Sequence, residues 1–397
     1  MMTSTADSLR KRVFFHIGAP KTGTTYLQNV LFQNREELAA AGLLYPYSDV
    51  GQSFRSMQDF RGVGWGNATP AKFRGEWDHV ARRTRRWEGD TVIVSNELLG
   101  GSSPGRITKG VSTVQPAELH VIFTARDFAR QLVSDWQEHV KHKHTVTLEQ
   151  FVDDLIEHGL DAPRPFGELF WGMHDAGFVL RRWAEVVPAA HIHIVTVPHL
   201  GAPSDTLWRR FCAVTGLDPD RYDTVVERSN ASMGVAETEL VRRMNFEVQG
   251  MADEHYDPLV RKLLAEEILG GQSPRLVLPE GRMEWVETRS RRLIDEVTAA
   301  RYDVVGDLEE LMPLRAEHGG YVSPTSLTEQ DLASAAIRAA TGMLKHAGRQ
   351  RRRTAELQHL ADGTKPPPPD LRARGFELYW KVRGRAGRVA RKLGVKR

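Results

Sequence analysis

One cysteine, Cys212, in 397 residues leaves no internal disulfide to form and fits a reducing, cytoplasmic setting. No apolar run approaches the ~20 residues of a membrane span. The start of the chain, MMTSTADSLRKR, is polar, and the apolar run after it is too short for the core of a signal peptide. No internal repeat is visible, which argues against a solenoid. A strong overall charge is also missing, since the net balance is only +3. That balance hides an asymmetry. Residues 371–397 carry ten Lys and Arg against one acid, Glu377, and the rest of the chain has 44 basic and 50 acidic residues. The body is mildly acidic and the basic character belongs to the tail.

What is present centres on residues 12–28, RVFFHIGAPKTGTTYLQ. Arg12 to Ile17 reads as a short buried strand, Gly18 to Gly23 as a tight loop, and Thr24 onward as the start of a helix. Such a unit is a phosphate cradle, because backbone N–H groups and the positive end of the helix dipole converge on one anion. The spacing Gly18-x4-Gly23 matches a Walker A loop, yet Thr24 stands where that motif requires lysine, and the lysine lies inside the loop as Lys21.

The stretch PKTGTT after an apolar strand resembles the phosphosulfate loop of sulfotransferases that use 3′-phosphoadenosine 5′-phosphosulfate (PAPS). That resemblance implies that Lys21 neutralises the leaving oxygen between phosphorus and sulfur. It also implies that Thr22, Gly23, Thr24 and Thr25 hold the 5′-phosphate, with no metal required. A second stretch, TARDFARQLVSDW, resembles the family's 3′-phosphate motif, in which a strand-end arginine (Arg126) and a serine eight residues on (Ser134) bind the phosphate. Taken alone, Arg126 reads rather as an ion-pair partner of Asp127 or Glu138 at a helix start. Phe128 stands where the family usually has proline.

Glu97, in VSNELLGG at the end of a strand, resembles the general base of bacterial and glycan sulfotransferases; a surface carboxylate or an arginine partner is the other reading. His16 either touches the acceptor or finishes its strand. Arg228-Ser229-Asn230-Ala231-Ser232 resembles a segment that closes over the nucleotide, which brings in Asn230 and Ser232; alone, Ser232 reads as a helix N-cap. The histidines of HVKHKH (His139, His142, His144) suggest a metal, but a solvated helix end fits them better.

Along the chain, strands alternate with helices. Further strands are expected near Thr91–Ser95, Leu119–Thr124 and His191–Val197. Helices are expected at Thr24–Ala41, Pro70–Trp87, Phe128–Lys141, Phe178–Val186, Leu207–Thr215, Gly234–Asn245, Pro258–Leu269 and Glu284–Tyr302. Ser48–Ala71 lacks periodicity and reads as a loop, either a lid or plain surface. The class is α/β, an open and mostly parallel sheet flanked by helices, which puts the loops after the first three strands on one rim. The expected organisation is a leader at 1–11, a sulfotransferase domain at 12–315, a helical extension at 316–364, and a Pro-rich linker with the basic tail at 365–397. Phe376, Tyr379 and Trp380 among the tail's cations suit the inner face of a membrane or an acidic partner; a disordered solubilising tail is the plainer reading. No nucleic-acid reader motif accompanies it.

The function expected is transfer of a sulfuryl group from PAPS to a hydroxyl of a carbohydrate, glycolipid or secondary metabolite. The alternative is a P-loop small-molecule kinase or nucleotide-binding regulator, which would need magnesium and ATP.

Overall fold

The computed structural model describes residues 10–226, 232–318 and 320–364. The leader up to residue 9, the Arg228–Ala231 stretch with Asn230, and the linker and tail from Lys365 onward lie outside the described residues. Two compact units divide the chain, Met1–Arg338 and Ala339–Arg397, and the sheet and its pockets belong to the first.

The apolar run after the leader becomes β1 (Arg12–His16), whose Val13, Phe14, Phe15 and His16 are all buried. A strand buried on both faces needs continuous rather than alternating apolar residues, as this one has. The other strands are β2 (Leu43–Leu44), β3 (Thr91–Ser95), β4 (Glu118–Ala125), β5 (Ile192–Thr196) and β6 (Asp303–Val305). They form one sheet in the order β2-β3-β1-β4-β5-β6, with every pair parallel. This is the open parallel α/β sheet expected from the alternation of elements. The chain goes from β1 to the edge strand β2, returns to place β3 between them, then crosses to put β4 on the other side of β1. The crevice beyond the carboxyl ends of β1 and β4 is therefore the topological switch point, where open α/β sheets bind ligands. His16 pairs with Ser95 on one side and Ile122 on the other, so the loops after β1, β3 and β4 share one rim.

The helices depart from expectation in instructive ways. Thr24–Ala41 is broken into Thr24–Gln33 and Arg35–Ala40. Asn34 breaks it: its side-chain amide donates to the Val30 and Asp223 carbonyls and accepts the Asp223 N–H, competing with the helix backbone. Much of the stretch read as a loop, Ser48–Ala71, is the helix Val50–Arg61, capped by Asp49 and stopped by Gly62 at φ 66°. Its buried face includes Gln52, Ser53, Ser56 and Gln58 beside Met57 and Phe60, so it shows little apolar periodicity. Pro70–Trp87 is a short 3-10 turn followed by Glu76–Arg86, and two helices, Leu148–His158 and Phe166–His174, were not anticipated. Phe128–Lys141 forms as expected, and Asp253 to Ile268 is a short α-helical turn running into a π-helix.

The Val50–Arg61 helix is held against the Pro104–Ser112 helix at Gly110, where an added Cβ would lie 1.9 Å from the Phe60 ring. Phe60 cannot easily yield, because its ring packs edge-on against Trp77 at 4.8 Å. Gly110→Ala should therefore lower stability by about 1–3 kcal/mol through overpacking, despite alanine's better helix propensity. Urea unfolding measures this; a variant as stable as wild type would mean that the Phe60 ring has room to move.

Candidate active site

The glycine loop is pinned to the neighbouring strand rather than free-standing. Ala19 N–H donates to the Thr124 carbonyl (2.8 Å), Thr124 N–H donates to the Gly18 carbonyl (2.5 Å), and the Thr124 hydroxyl reaches the same carbonyl (2.7 Å). The Thr22 hydroxyl is spent inside the loop, on the Ala19 carbonyl and the Thr124 hydroxyl. Thr22 and Thr24 have buried side chains, so only their backbones can face a ligand, while Thr25 is exposed. Gly23, at φ 89°, starts the helix, and a Cβ there would strike Leu207 at 2.5 Å. Among the described residues, the N–H groups of Gly23, Thr24 and Thr25 find no acceptor in the protein. They form an anion-ready concavity at a helix start.

Lys21 sits in left-handed backbone at φ 61°. Its Nζ lies 3.1 Å from Glu138 on the Phe128–Lys141 helix. Lys141 and His142 crowd the same carboxylate at 3.4 and 3.6 Å. Burial works to raise the Glu138 pKa, but Lys21, His142 and Lys141 outweigh it and hold the carboxyl well below its usual range. The loop lysine is thus parked on a permanent anion.

Arg126 follows β4 directly, and one guanidinium nitrogen donates to the Ser134 hydroxyl (2.7 Å) and the Arg130 carbonyl (2.6 Å). Its Nε is buried with no partner. Neither carboxylate the sequence offers it is available. Asp127 caps the helix through Arg130 N–H and pairs with the Arg130 side chain, while Glu138 holds Lys21. Burial without an ion pair pulls the Arg126 pKa down to about 9. Arg126 and Ser134 open onto a cavity of about 470 Å³ that Ser232, Ser273 and Arg275 also line. Arg275 is exposed and has no ion pair among the described residues; sequence reasoning missed it, although its setting in GGQSPR was a usable loop signal.

Ser232 reaches this pocket but does not cap the helix that follows. The N-cap is Gly234, whose N–H donates to the Glu237 carboxylate, because Glu237 and Ser273 take over the capping.

A second cavity, of about 310 Å³, lies on the β3 side. Glu97 opens a 3-10 turn after β3, anchored where Asn96 accepts the Leu98 N–H and donates to Ser53. The Glu97 carbonyl lies against Gly18, which sets the turn beside the glycine loop. Among the described residues its carboxylate accepts only from Gln28 Nε2 (2.8 Å), and no arginine pairs with it. Tyr45, Tyr47, Phe54 and Trp65 wall the cavity, with Thr25 and Glu97 at its loop side.

His16 lines neither cavity. It is fully buried, with Nδ1 2.8 Å from the Ser95 hydroxyl and Nε2 3.4 Å from that of Thr124, and burial pulls its pKa down to about 3. The reading of His16 as an acceptor contact gives way to the strand-finishing one, because no ring atom is exposed. His139 and His142 lie against Asp135 and Glu138 of their own helix.

Two outcomes follow from this geometry. Because folded His16 stays neutral down to about pH 3, the unfolded chain takes up a proton that the folded chain refuses below about pH 6.5. Stability should then fall with acid, by about 2–3 kcal/mol between pH 6.5 and 4.5 from this group alone. His16→Gln should flatten that part of the profile; equal slopes for both proteins in urea titrations would contradict it. Glu138→Gln should release Lys21 and tighten inorganic pyrophosphate or sulfate binding several-fold in calorimetry. Unchanged affinity would mean that the ion pair does not restrain the lysine.

No protein-family model matches the chain, and no curated protein matches it. Among solved structures, the crystal structure of a sulfotransferase from Alicyclobacillus acidocaldarius is similar at a TM-score of 0.39 and 16% identity, covering 63% of this chain and 95% of that one. At that distance, the chemistry of the site has to be argued from its own residues.

Proposed function

We propose that the protein moves a sulfuryl group from PAPS to a hydroxyl of a carbohydrate, glycolipid or secondary-metabolite acceptor, releasing PAP. One observation carries this reading. Two candidate anion sites lie at adjacent strand ends: the N–H groups after β1 that find no acceptor, and the half-buried Arg126 with Ser134 after β4, which has no acid partner among the described residues. ATP concentrates its charge in one polyphosphate chain. A nucleotide phosphorylated at both its 3′ and 5′ ends presents two separate anions, as this pair of sites requires.

In this reading, the backbone N–H groups of Gly23, Thr24 and Thr25 hold the 5′-phosphate, and Thr22 keeps the loop in shape from inside. Arg126, Ser134 and Arg275 take the 3′-phosphate, with Ser232 beside them in the same cavity. The acceptor oxygen attacks sulfur, and the bond from sulfur to the bridging oxygen breaks. That oxygen leaves on PAP with its electron pair, and its growing charge draws Lys21 from Glu138. The acceptor's proton passes to Glu97. The aromatic walls of the cavity beside Glu97 suit the flat faces of sugar rings, and its Asn96, Asp49 and Gln28 suit their hydroxyls.

Calorimetric titration without magnesium, against PAP and against ATP, tests the reading. PAP should bind and ATP should not compete at similar concentrations, and Arg126→Ala should weaken PAP about 30- to 100-fold. Glu97→Gln should keep PAP affinity and lower turnover at least 100-fold on any acceptor found. ATP binding that needs magnesium, with none for PAP, would return the loop to the kinases.

A further inference from the structure

The opposite rim of the sheet holds a group of side chains that the transfer reaction does not use. Glu118 and His120 lie at the start of β4, His191 just before β5, His193 within β5 and Asp303 in β6. Along β4, six to eight residues at ~3.3 Å each separate His120 and Glu118 from Arg126, roughly 20–26 Å. Four of them form a chain of contacts. His120 Nε2 is 2.9 Å from Glu118, His120 Nδ1 is 2.9 Å from His193 Nε2, and His193 Nδ1 is 2.7 Å from Asp303.

The chain is one donor short. Carboxylates only accept, and each neutral imidazole carries a single N–H, so two donors face three contacts. If His193 donates to Asp303 and His120 donates to His193, the lone pair of His120 Nε2 points at the Glu118 carboxylate. Something positive must stand between them. An extra proton would serve, but it would leave His191 without a purpose. That ring lies over His120 at 4.5 Å between centroids, is half-buried, and has no hydrogen-bond partner among the described residues. Phe14 packs on His120 as well, at 4.6 Å, which fixes the orientation of the ring.

We propose that Glu118, His120 and His191 bind a divalent transition-metal ion of the zinc class at the amino ends of β4 and β5. Their ligand atoms already lie within 4.8 Å of one another. Bonds of ~2.0–2.2 Å need them roughly 3.4 Å apart, so with His120 held by Phe14 the half-exposed His191 ring must turn off its face, and Glu118 rotate, for the lone pairs to converge. Two imidazoles and a carboxylate suit zinc, nickel or copper better than magnesium or calcium. The metal supplies the missing positive partner, and every other contact then has one donor. His120 Nδ1–H donates to His193, and His193 Nδ1–H donates to Asp303, an outer shell that orients the ligand and ties in β6. Placed so far from the transfer site, the ion is a clamp on the lower rim of the sheet.

The test uses the full chain, stripped with EDTA, titrated with Zn²⁺ by calorimetry and with Co²⁺ by visible absorption. One Zn²⁺ per chain should bind, and Co²⁺ should give the intense visible bands of a four-coordinate site. His191→Ala, a change on a half-exposed turn, and Glu118→Gln should each weaken Zn²⁺ at least 100-fold and abolish those bands; Asp303→Asn should weaken it about 10-fold. Zn²⁺ should raise Tm in wild type and not in His191→Ala. PAP binding to His191→Ala, at the other rim, should match wild type and so report that the variant is folded. Zn²⁺ affinity and Co²⁺ spectra identical in wild type and His191→Ala would overturn the proposal, as would no Zn²⁺ binding at all, which would assign the missing donor to a proton.

Discussion

Everything at the candidate site hangs on Thr124. Pairing of β1 with β4 does not stop at the strand end but continues into the glycine loop, where Thr124 holds Gly18 and Ala19 with its backbone and Gly18 and Thr22 with its hydroxyl. A loop whose last N–H groups find no acceptor among the described residues has little of its own to fold around. The neighbouring strand supplies that scaffold. The same strand ends one residue before Arg126, so a single β-ladder sets the separation between the glycine loop and Arg126.

Electrostatics then divides the labour within one helix. Phe128–Lys141 begins with Asp127 turned back onto Arg130, which leaves Arg126 without a counter-ion. One turn beyond Ser134 it presents Glu138, which holds Lys21. A buried guanidinium without an acid is costly and persists only where other forces hold it. Here the helix supplies a hydroxyl and a carbonyl to two of its hydrogens and leaves Nε open. The lysine is treated oppositely, neutralised in place beside the loop it serves. The two cations thus differ in readiness: one is fixed and uncompensated, the other compensated and movable.

The two rims of the sheet follow different chemistry for a topological reason. At the carboxyl ends, loops leave the strands and are free to vary in shape, and the pockets form there. At the amino ends, His120, His193 and Asp303 come from three adjacent strands, with His193 opposite Asp303 and His120 two residues before His193's partner Ile122 on β4. Side chains on neighbouring strands can make a linear hydrogen-bonded row without any loop, and the row inherits the rigidity of the sheet.

Local pattern was enough for some of this protein and not for the rest. Continuous apolar runs marked β1, β3, β4 and β5, because a strand buried on both faces has no other way to be written. Glycine spacing marked the strand–loop–helix turn, and the Arg126 and Ser134 pair was visible as a strand end followed by two turns of helix. What stayed hidden were elements whose reasons lie elsewhere in space: β2 and β6, too short to show a period, and Val50–Arg61, whose buried face is partly glutamine and serine. Only tertiary structure decided which acid each cation would meet: Asp127, next to Arg126 in sequence, pairs with Arg130, and Glu138 holds Lys21, 117 residues earlier. It also decided that His16 would be sealed between Ser95 and Thr124, and that Arg275, some 150 residues away, would share a pocket with Arg126. Sequence states which groups are present and which strand or helix carries them; their partners are chosen by packing, because a charge or a hydrogen bond responds to distance in space and not along the chain.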